Sequence, residues 1–369
     1  MSAAEQARTK GQELVNRGLL AGYQQVLRPG LFRLRGGDAE AIHEDMIRAL
    51  GAAGRLPAPA QRLAGAALGR RGGATVAGIQ FPGRVGVAAG LDKNGIAARA
   101  WAGLGFGFAE LGTVTAQAQP GNPKPRLFRA KQSEAIINRM GFNNEGAQAL
   151  ASRLEEWGVQ RGNRALGIPL GISLGKTKVT PLDGAVEDYL TSLRLLADKA
   201  DYVAVNISSP NTPGLRSLQD GDALRELTKA LVTEARVLNE VSPVPIFVKV
   251  APDLTWEALD EVLETCEQAG VSGLIATNTT LGRDGLKGSD VRLAAEAGGL
   301  SGAPLTVRSR EVVARIVERS ALPVMGVGGI MTPADAQAMF DAGARLVQVY
   351  SGFIYNGPAL VRGINSLPH

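Results

Sequence analysis

The sequence predicts an α/β protein built as a closed (β/α)8 barrel of the TIM type, with a helical cap at its N-terminus. From residue 85 onward, eight short apolar runs alternate with helical patterns, and these eight units occupy about 285 residues. Alternating strands and helices pair in parallel through right-handed crossovers, and a barrel of this kind has about this size. An open doubly wound sheet is the alternative, but it would place a phosphate-binding glycine cluster after the first strand, where residues 88–93 are AAGLDK.

The cap is predicted from apolar residues that recur at helical spacing before residue 85. They are Val15, Leu19, Tyr23, Val26 and Leu27 and, in a second stretch, Ile42, Met46 and Leu50. Through Arg84 the chain carries twelve Lys and Arg against six Asp and Glu, whereas the remainder is nearly balanced. Short basic amphipathic helices suit an anionic membrane surface, although a cap that only packs on the main domain explains the pattern equally well. We predict a helical extension over residues 1–80 and a barrel over residues 81–369.

The composition excludes several classes of protein. The sequence contains no run of about eighteen apolar residues, so a transmembrane helix is not predicted. Residues 1–18 lack the apolar stretch of a signal peptide. The single cysteine, Cys266, excludes a disulfide framework and a zinc or iron–sulfur cluster carried by this chain, and no metal site is predicted. The basic N-terminal segment has neither a block of Lys and Arg nor a known nucleic-acid-binding motif, so binding of nucleic acid is not predicted. A reducing cytoplasm is the expected compartment.

The elements of the barrel follow from the apolar runs and from the helical patterns between them. The predicted strands are Val85–Ala89, Phe108–Gly112, Leu166–Leu174, Tyr202–Asn206, Ile246–Val250, Gly273–Thr277, Pro323–Val327 and Leu346–Tyr350. The predicted helices are Ala185–Asp198, Ala223–Asn239, Trp256–Ala269, Val307–Glu318 and Pro333–Ala342. In such a barrel the residues after the C-terminal ends of the strands meet at one mouth.

The residues predicted at this mouth are rich in Asn, Ser, Thr, Lys and Gly and nearly free of acid. They suit an anionic ligand with amide groups. Gly326–Gly329 and Tyr350–Gly352 form the ends of the seventh and eighth strands, where barrels commonly bind phosphate through backbone N–H groups. Lys249 ends an apolar strand, where a lysine that faces the barrel needs a counter-charge. Lys93 follows the first strand and is predicted to contact ligand, although a solvated turn is its alternative.

The segment Asn206–Gly214, NISSPNTPG, places several neutral hydrogen-bonding side chains where the fourth strand must turn. The chain has only two histidines, His43 and His369, and neither is near Ser209 in sequence. The base that normally activates a serine nucleophile is therefore missing, and hydrolytic chemistry at Ser209 is not expected. Taken alone, the segment is also compatible with an Asx-type turn that closes a strand.

Six ordered segments resemble the dihydroorotate dehydrogenase family, and its membrane-associated, quinone-dependent class 2 is the most similar. They are residues 88–93 (AAGLDK), 121–126 (GNPKPR), 137–143 (INRMGFN), 206–214, 277–280 (TNTT) and 298–302 (GGLSG). The resemblance covers roughly residues 23–360. It implies an enzyme of pyrimidine synthesis that contains flavin mononucleotide (FMN) and oxidises (S)-dihydroorotate to orotate. The class 1 enzymes carry Cys where this chain has Ser209.

The resemblance also implies roles for individual residues. Ser209 would be the catalytic base, with Thr212 and water as a proton path. The substrate would be bound by Lys93, Asn138, Phe142, Asn206, Asn211, Asn278 and Thr279. The flavin would be bound by Ala89, Gly90, Lys93, Gly112, Thr113, Ser173, Asn206, Lys249, Thr277, Ser301, Gly302, Gly328, Gly329, Tyr350 and Ser351, and the reduced flavin ring would supply the counter-charge of Lys249.

The quinone half of the reaction is predicted at the cap, where residues 38–43 and 127–129 resemble the tunnel of class 2 enzymes. His43, Arg129 and Tyr350 would flank the quinone, and the protein would lie peripherally on the cytoplasmic side of the cell membrane without an obligatory protein partner. Two positions depart from the family, which usually has Asn where this chain has Ser173 and Thr177. Serine reaches less far, so a water or a neighbouring group would complete that contact.

Three alternatives remain open at this stage. One is a class 1-like dihydroorotate dehydrogenase with another electron acceptor. The second is another FMN barrel oxidoreductase, such as one that reduces uridine in tRNA, although the chain shows no basic face after residue 85. The third is a membrane-bound barrel without catalytic activity.

Overall fold

The computed structural model describes residues 11, 15–56, 58–69, 72–162 and 164–368. Eight parallel strands form a closed barrel in which each strand pairs with the next one along the chain and the last pairs with the first. The strands are β1 Val85–Val87, β2 Phe108–Val114, β3 Leu170–Leu174, β4 Tyr202–Asn206, β5 Ile246–Val250, β6 Gly273–Ala276, β7 Val324–Val327 and β8 Leu346–Val349. The predicted (β/α)8 barrel is confirmed.

Helices surround the barrel and cover its apolar outer face. Those that follow β2 to β8 are Ala147–Glu156, Ala185–Leu196, Gly221–Leu238, Trp256–Ala269, Thr306–Arg319, Pro333–Asp341 and Ser351–Asn365. Between β1 and β2 the regular helix is the short 3-10 helix Trp101–Leu104. Here Asp92 Oδ2 accepts hydrogen bonds from Ala97 N–H (2.9 Å) and Trp101 Nε1–H (3.2 Å), which hold an irregular loop in place.

The predicted elements lie within a few residues of the observed ones, and the largest difference is at β3. This strand begins at Leu170 and not at Leu166, because Gly167 has a φ of 69° and Pro169 has no N–H to donate to a neighbouring strand. Apolar character alone does not reveal that residues 166–169 form a turn.

A β-hairpin closes the N-terminal end of the barrel. Its strands, Ala74–Val76 and Ile79–Phe81, pair antiparallel. Val76 and Phe81 pack into the barrel interior with Phe108, Tyr202 and Phe247, and the Phe81 and Phe108 rings meet edge to face at 5.2 Å. The boundary at residue 80 remains a prediction, and it falls within this hairpin.

A second small sheet lies at the opposite end of the barrel. It is antiparallel and consists of Leu127–Ala130, Ala135–Asn138 and Gly299–Gly302. Asn138 pairs with Gly299, and Ser301 pairs with Ile136. This sheet therefore brings residues from two distant parts of the chain to the mouth of the barrel.

The cap contains residues 15–22 in helical conformation, the π-helix Tyr23–Leu27 and the helices Arg28–Leu31, Ala39–Ala53 and Ala58–Ala67. Tyr23 Oη donates to Ile354 O (2.9 Å) and Arg28 Nη1 donates to Tyr355 O (3.1 Å), so the cap is attached to the last barrel helix. A side chain at Gly357 would collide with the Tyr23 ring, because its Cβ would lie 2.5 Å from Tyr23 Cδ2.

The two predicted apolar stretches of the cap have different surroundings. Ile42 is buried, and it lines an internal cavity together with Met46 and Leu50. In the first stretch the exposed residues are Val15, Leu19, Val26 and Leu27, of which Val26 is 71% exposed. Within the described ranges, none of the helices has the length and hydropathy of a membrane-spanning segment.

A buried ion pair joins the cap to the barrel. Glu40, in the first turn of helix Ala39–Ala53, accepts hydrogen bonds from Arg126 Nη2 (2.7 Å) and Nε (3.1 Å), and Lys124 Nζ lies 3.3 Å away. Burial acts to raise the pKa of Glu40, but the hydrogen bonds and charge of Arg126, with those of Lys124, outweigh it and hold the pKa below its ordinary value. The carboxylate is therefore ionised at neutral pH.

We expect Glu40→Gln to lower the free energy of unfolding by about 2 kcal/mol at pH 7, because it leaves the buried Arg126 guanidinium without its counter-charge. Urea unfolding monitored by fluorescence measures this change. Asp45→Asn removes the ion-pair partner of the exposed side chains of Arg35 and Arg48 and is the matched control, with a clearly smaller expected loss. Because the folded-state pKa of Glu40 is lowered, its contribution is complete above the ordinary pKa of about 4 and is lost as the pH falls through the folded-state value. Equal losses for both variants at pH 7 would contradict this assignment.

Candidate active site

A cavity at the C-terminal mouth of the barrel contains about 1000 Å³ of empty space, part of it open to solvent. Most of the residues predicted to bind substrate or cofactor line it. They are Ala89, Gly90, Lys93, Thr113, Asn138, Phe142, Asn206, Ser209, Asn211, Lys249, Thr277, Asn278, Thr279, Ser301, Gly302, Gly328, Gly329, Tyr350 and Ser351. The individual binding roles of these residues stay predictions.

Two residues predicted to bind the flavin, Gly112 and Ser173, do not line this cavity but lie behind its wall. Ser173 is fully buried, and its Oγ is 2.9 Å from Thr113 Oγ1, which accepts a hydrogen bond from Asn206 Nδ2 (2.9 Å). Gly112 O accepts a hydrogen bond from Gly90 N–H (2.6 Å). Ser173 therefore supports Thr113, which in turn binds the side chain of Asn206. A direct contact of Ser173 with a flavin stays a prediction.

Ser209 lies in the loop that follows β4 and is only 6% exposed. Its Oγ accepts a hydrogen bond from Asn211 N–H (3.3 Å). His43 lies in the cap and does not line this cavity, and His369 is outside the described residues. An imidazole therefore does not assist Ser209 within the described part of the chain, which agrees with the expectation that its chemistry is not hydrolytic.

Four asparagines and a serine form two hydrogen-bonded sets beside Ser209. Asn278 Nδ2 donates to Asn206 Oδ1 (3.1 Å) and to Ser208 Oγ (3.0 Å), while Asn211 Nδ2 donates to Asn138 Oδ1 (3.2 Å). Asn211 Oδ1 is buried without a hydrogen-bond partner among the described residues. Because a buried acceptor without a donor is unfavourable, this group is suited to a polar ligand that supplies N–H donors.

Arg216 connects the Ser209 loop to two neighbouring loops. Its Nε donates to Ser208 O (3.0 Å), its Nη2 donates to Thr279 O (3.2 Å), and its Nη1 pairs with Asp253 (2.8 Å). Sequence analysis does not single out Arg216. In the sequence, Arg216 is marked only as a basic residue five positions after a proline–asparagine turn, and this pattern is too common to indicate a functional site.

Lys249 lines the cavity at the centre of the barrel and has a counter-charge within the protein. Its Nζ lies 4.0 Å from Glu110 Oε1 on β2. Burial lowers the pKa of Lys249, and the negative charge of Glu110 opposes this shift. The expectation that a ligand must supply the counter-charge is therefore incomplete, because it does not include Glu110.

Lys93 lines the same cavity and also a polar cleft beside the cap helix Ala39–Ala53. Burial lowers its pKa to about 8, and the nearby Glu40 carboxylate opposes the shift. Lysines with a pKa shifted by burial are common at ligand sites.

The glycine turns after β7 and at the start of the last helix form the far wall of the cavity. Gly328 and Gly329 have φ values of 112° and 67°, and a Cβ on Gly329 would lie 2.2 Å from Thr306 Cα. Ser351 begins the helix Ser351–Asn365, which is kinked at Gly357 (φ 60°), and its Oγ is 2.8 Å from Ser301 Oγ. Backbone N–H groups without side chains, a helix N-terminus and two hydroxyls are suited to a phosphate.

A second, mainly apolar cavity with about 750 Å³ of empty space lies between the cap and the barrel. The three residues predicted to flank the quinone, His43, Arg129 and Tyr350, all line it. Burial, together with the charge of Lys93, lowers the pKa of His43 to about 3, so its imidazole is neutral. Arg129 Nη2 donates to Gly37 O (2.6 Å), and its guanidinium lies 4.3 Å from the centre of the Phe32 ring. Tyr350 lines both cavities.

Comparisons with known proteins agree with this geometry. A family model described as Dihydroorotate dehydrogenase matches residues 73–367. The chain is 57% identical over 342 residues to Dihydroorotate dehydrogenase (quinone) of Salinispora arenicola, with 92% of this chain and 97% of that protein covered. It is 50% identical over 364 residues to Dihydroorotate dehydrogenase (quinone) of Chloroflexus aurantiacus, with 95% and 97% covered.

Solved structures show the same similarity. A crystal structure of DHODH in complex with ferulenol from Eimeria tenella matches with a TM-score of 0.79 at 36% identity, and covers 92% of this chain and 93% of that one. The ligand-free form from Eimeria tenella matches with a TM-score of 0.75 at 34% identity, over 88% of this chain and 93% of that chain. From the family match and the identity over most of its length, the chain belongs to the dihydroorotate dehydrogenase family.

Proposed function

We propose that this protein oxidises (S)-dihydroorotate to orotate in pyrimidine biosynthesis, with FMN as its cofactor and a membrane quinone as its electron acceptor. One observation carries the proposal: a polar cavity that contains Ser209 and an apolar cavity beneath the cap share the side chain of Tyr350. A polar substrate and an apolar oxidant can then occupy separate sites on either side of one cofactor. Relatives named Dihydroorotate dehydrogenase (quinone) support both halves.

FMN fits the residues of the polar cavity. The phosphate would be held by Gly328, Gly329, Ser301 and the first turn of the helix at Ser351, and the ring would lie near Lys249. The chain supplies positive charge there, because Lys249 and Lys93 both line the cavity. When bound, FMN would accept the hydride that leaves the substrate and would pass two electrons on to the quinone.

The remaining part of the cavity is suited to dihydroorotate. Asn138, Asn206, Asn211 and Asn278 would bind the amides and the carboxylate of the substrate through neutral donors and acceptors. Ser209 would take a proton from the ring methylene. A hydroxyl is a weak base, so the reaction depends on the orientation that Asn211 N–H gives to Ser209 Oγ and on a proton path through Thr212, which is 5% exposed.

The cap would admit the quinone and attach the protein to the membrane. His43 and Arg129 would donate hydrogen bonds to the quinone oxygens in a cavity whose other walls are apolar. The exposed residues Val15, Leu19, Val26 and Leu27, together with the basic charge of the N-terminal segment, suit an anionic membrane surface. We place the protein peripherally on the cytoplasmic side of the cell membrane, with residues 1–80 as the quinone-access domain and residues 81–369 as the catalytic domain.

The class 1-like alternative is less well supported. A class 1-like enzyme would have Cys at the position of Ser209 and would not need the apolar cavity beneath the cap. Turnover with fumarate or a nicotinamide acceptor, but not with quinone, would favour that alternative.

Purified protein is expected to contain about one FMN per chain and to lose its yellow absorbance when dihydroorotate is added without oxygen. Nicotinamide should not be required. The measurements are an absorbance spectrum, a phosphorus or chromatographic assay of the released flavin, and an anaerobic titration. Protein that cannot be reconstituted with FMN, or that holds a flavin which dihydroorotate does not reduce, would disprove the proposed function.

A further inference from the structure

Glu110 is an acidic residue at the centre of an apolar strand. It lies in β2, Phe108–Val114, and is completely buried. Because burial of a carboxylate is costly unless it is paired or hydrogen-bonded, its position requires an explanation. It does not line the active-site cavity itself, but it contacts residues that do.

The two oxygens of this carboxylate have different surroundings. Oε2 accepts hydrogen bonds from Gln348 Nε2 (2.7 Å) and Tyr202 Oη (3.0 Å). Oε1 has no hydrogen-bond partner among the described residues and lies 4.0 Å from Lys249 Nζ. Two neutral donors therefore fix the carboxylate at one oxygen, and the other oxygen faces the ammonium group.

Tyr202 keeps its proton at neutral pH and so remains a hydrogen-bond donor to Glu110. Burial, with the charge of Glu110, raises the pKa of Tyr202 well above its ordinary value. Gln348 is fully buried yet lines the cavity, and its Oε1 has no partner in the described part of the chain. Gln348 and Lys249, which both interact with Glu110, thus line the same cavity.

From this arrangement we propose that Glu110 is a positioning residue that offsets the charge of Lys249 and thereby lowers the midpoint potential of the flavin. This inference rests on the proposed function, since it requires FMN in the cavity. A cation beside a flavin favours the reduced, more negative form, and a fixed anion behind that cation weakens the effect. Glu110 therefore keeps the reduced cofactor a stronger electron donor to the quinone.

The test is the midpoint potential of the FMN-loaded E110Q variant, measured at pH 7 by spectroscopic titration against reference dyes. The amide has the shape of the carboxylate, and its oxygen can still accept from Tyr202 and Gln348. We expect the oxidised–reduced equilibrium to shift toward the reduced form by roughly tenfold, the order of the effect that one buried charge has on a neighbouring ionisable group. For a two-electron couple each factor of ten corresponds to a rise of about 30 mV. An unchanged or lower potential would overturn the proposal.

Tyr202→Phe is the matched control, because it removes one hydrogen bond to Glu110 and keeps the charge. It should lower the thermal stability but shift the redox equilibrium by less than about threefold. Equal shifts in both variants would mean that packing, and not charge, sets the potential, which would also overturn the proposal. If E110Q does not fold, Glu110→Asp, which moves the carboxylate back by one methylene, should give a smaller rise, and no rise would count against the proposal.

The outcomes separate this inference from the proposed function. Wild-type protein that binds FMN and is reduced by dihydroorotate supports the function whatever the E110Q variant does. Wild-type protein that does not bind FMN disproves the function and, with it, the role of Glu110.

Discussion

Replacing Ser209 with alanine is expected to slow reduction of the flavin by dihydroorotate by a factor of roughly 10² to 10⁴ while FMN stays bound. This range is typical of the loss of a positioned acid–base group. Ser209 is 6% exposed, and its hydroxyl is oriented by Asn211 N–H, so a water that enters the alanine variant would lack that orientation. Anaerobic stopped-flow absorbance measures the rate directly, and the flavin content is determined in the same sample.

Ser208→Ala is the matched control for this experiment. Ser208 is fully buried and does not line the cavity, and its Oγ accepts a hydrogen bond from Asn278 Nδ2 (3.0 Å). Its loss should weaken the orientation of Asn278 and reduce the rate only severalfold, the effect of about one hydrogen bond. If Ser208→Ala were the slower of the two variants, Ser209 would not be the base.

Removal of residues 1–37 is expected to separate the two half-reactions. Flavin reduction by dihydroorotate should persist, whereas oxidation by a long-chain quinone should fall by roughly a hundredfold or more, because the apolar cavity loses Tyr23, Leu31 and Phe32. The truncation keeps helix Ala39–Ala53, whose Ile47 belongs to the main core and whose Asp38 cap accepts from Glu40 N–H (2.9 Å). Stopped-flow bleaching and quinone-dependent turnover on liposomes measure the two halves.

A double variant tests the membrane surface and leaves the residues that line the apolar cavity in place. Val26→Asp with Leu27→Asp should abolish binding to anionic liposomes, because it places two carboxylates on the exposed apolar face. Val237→Asp changes a side chain of similar exposure (74%) outside the cap and should bind liposomes like the wild type. Unchanged liposome binding by the double variant would show that the cap has only a structural role. Full quinone turnover by the protein that lacks residues 1–37 would lead to the same conclusion.

Sequence alone predicts the barrel and most of its mouth because both depend on local patterns. Strand periodicity places Asn206 and Lys249 at strand ends, and parallel pairing then brings those ends together. The sequence does not predict the three-stranded antiparallel sheet at the mouth of the barrel. Its residues Asn138 and Gly299 pair although about 160 residues separate them, and no local pattern indicates such a contact. The sequence does show that Glu110 is an acidic residue inside an apolar strand. Its partners Tyr202 and Gln348, however, are known only from the structure of the closed barrel.

Helical spacing likewise does not specify what a helix face contacts. Ile42, Met46 and Leu50 show the same periodicity as Val15, Leu19 and Val26, yet the first group lines a cavity and the second is exposed. The difference arises from tertiary packing, in which the Glu40–Arg126 pair holds one helix against the barrel. A sequence pattern therefore indicates two apolar faces without assigning either to a lipid or to an internal site.

Tyr350 has a kinetic consequence as the side chain shared by the two cavities. Its hydroxyl lies 3.5 Å from Gly90 O, so this aromatic partition is held in place between the chambers. Under the proposed function, the reductant and the oxidant would approach the cofactor from different sides and would not compete for space. Steady-state data should accordingly follow a ping-pong pattern with parallel double-reciprocal lines. A molecule that fills the chamber under the cap should leave the apparent affinity for dihydroorotate in the reductive half-reaction unchanged.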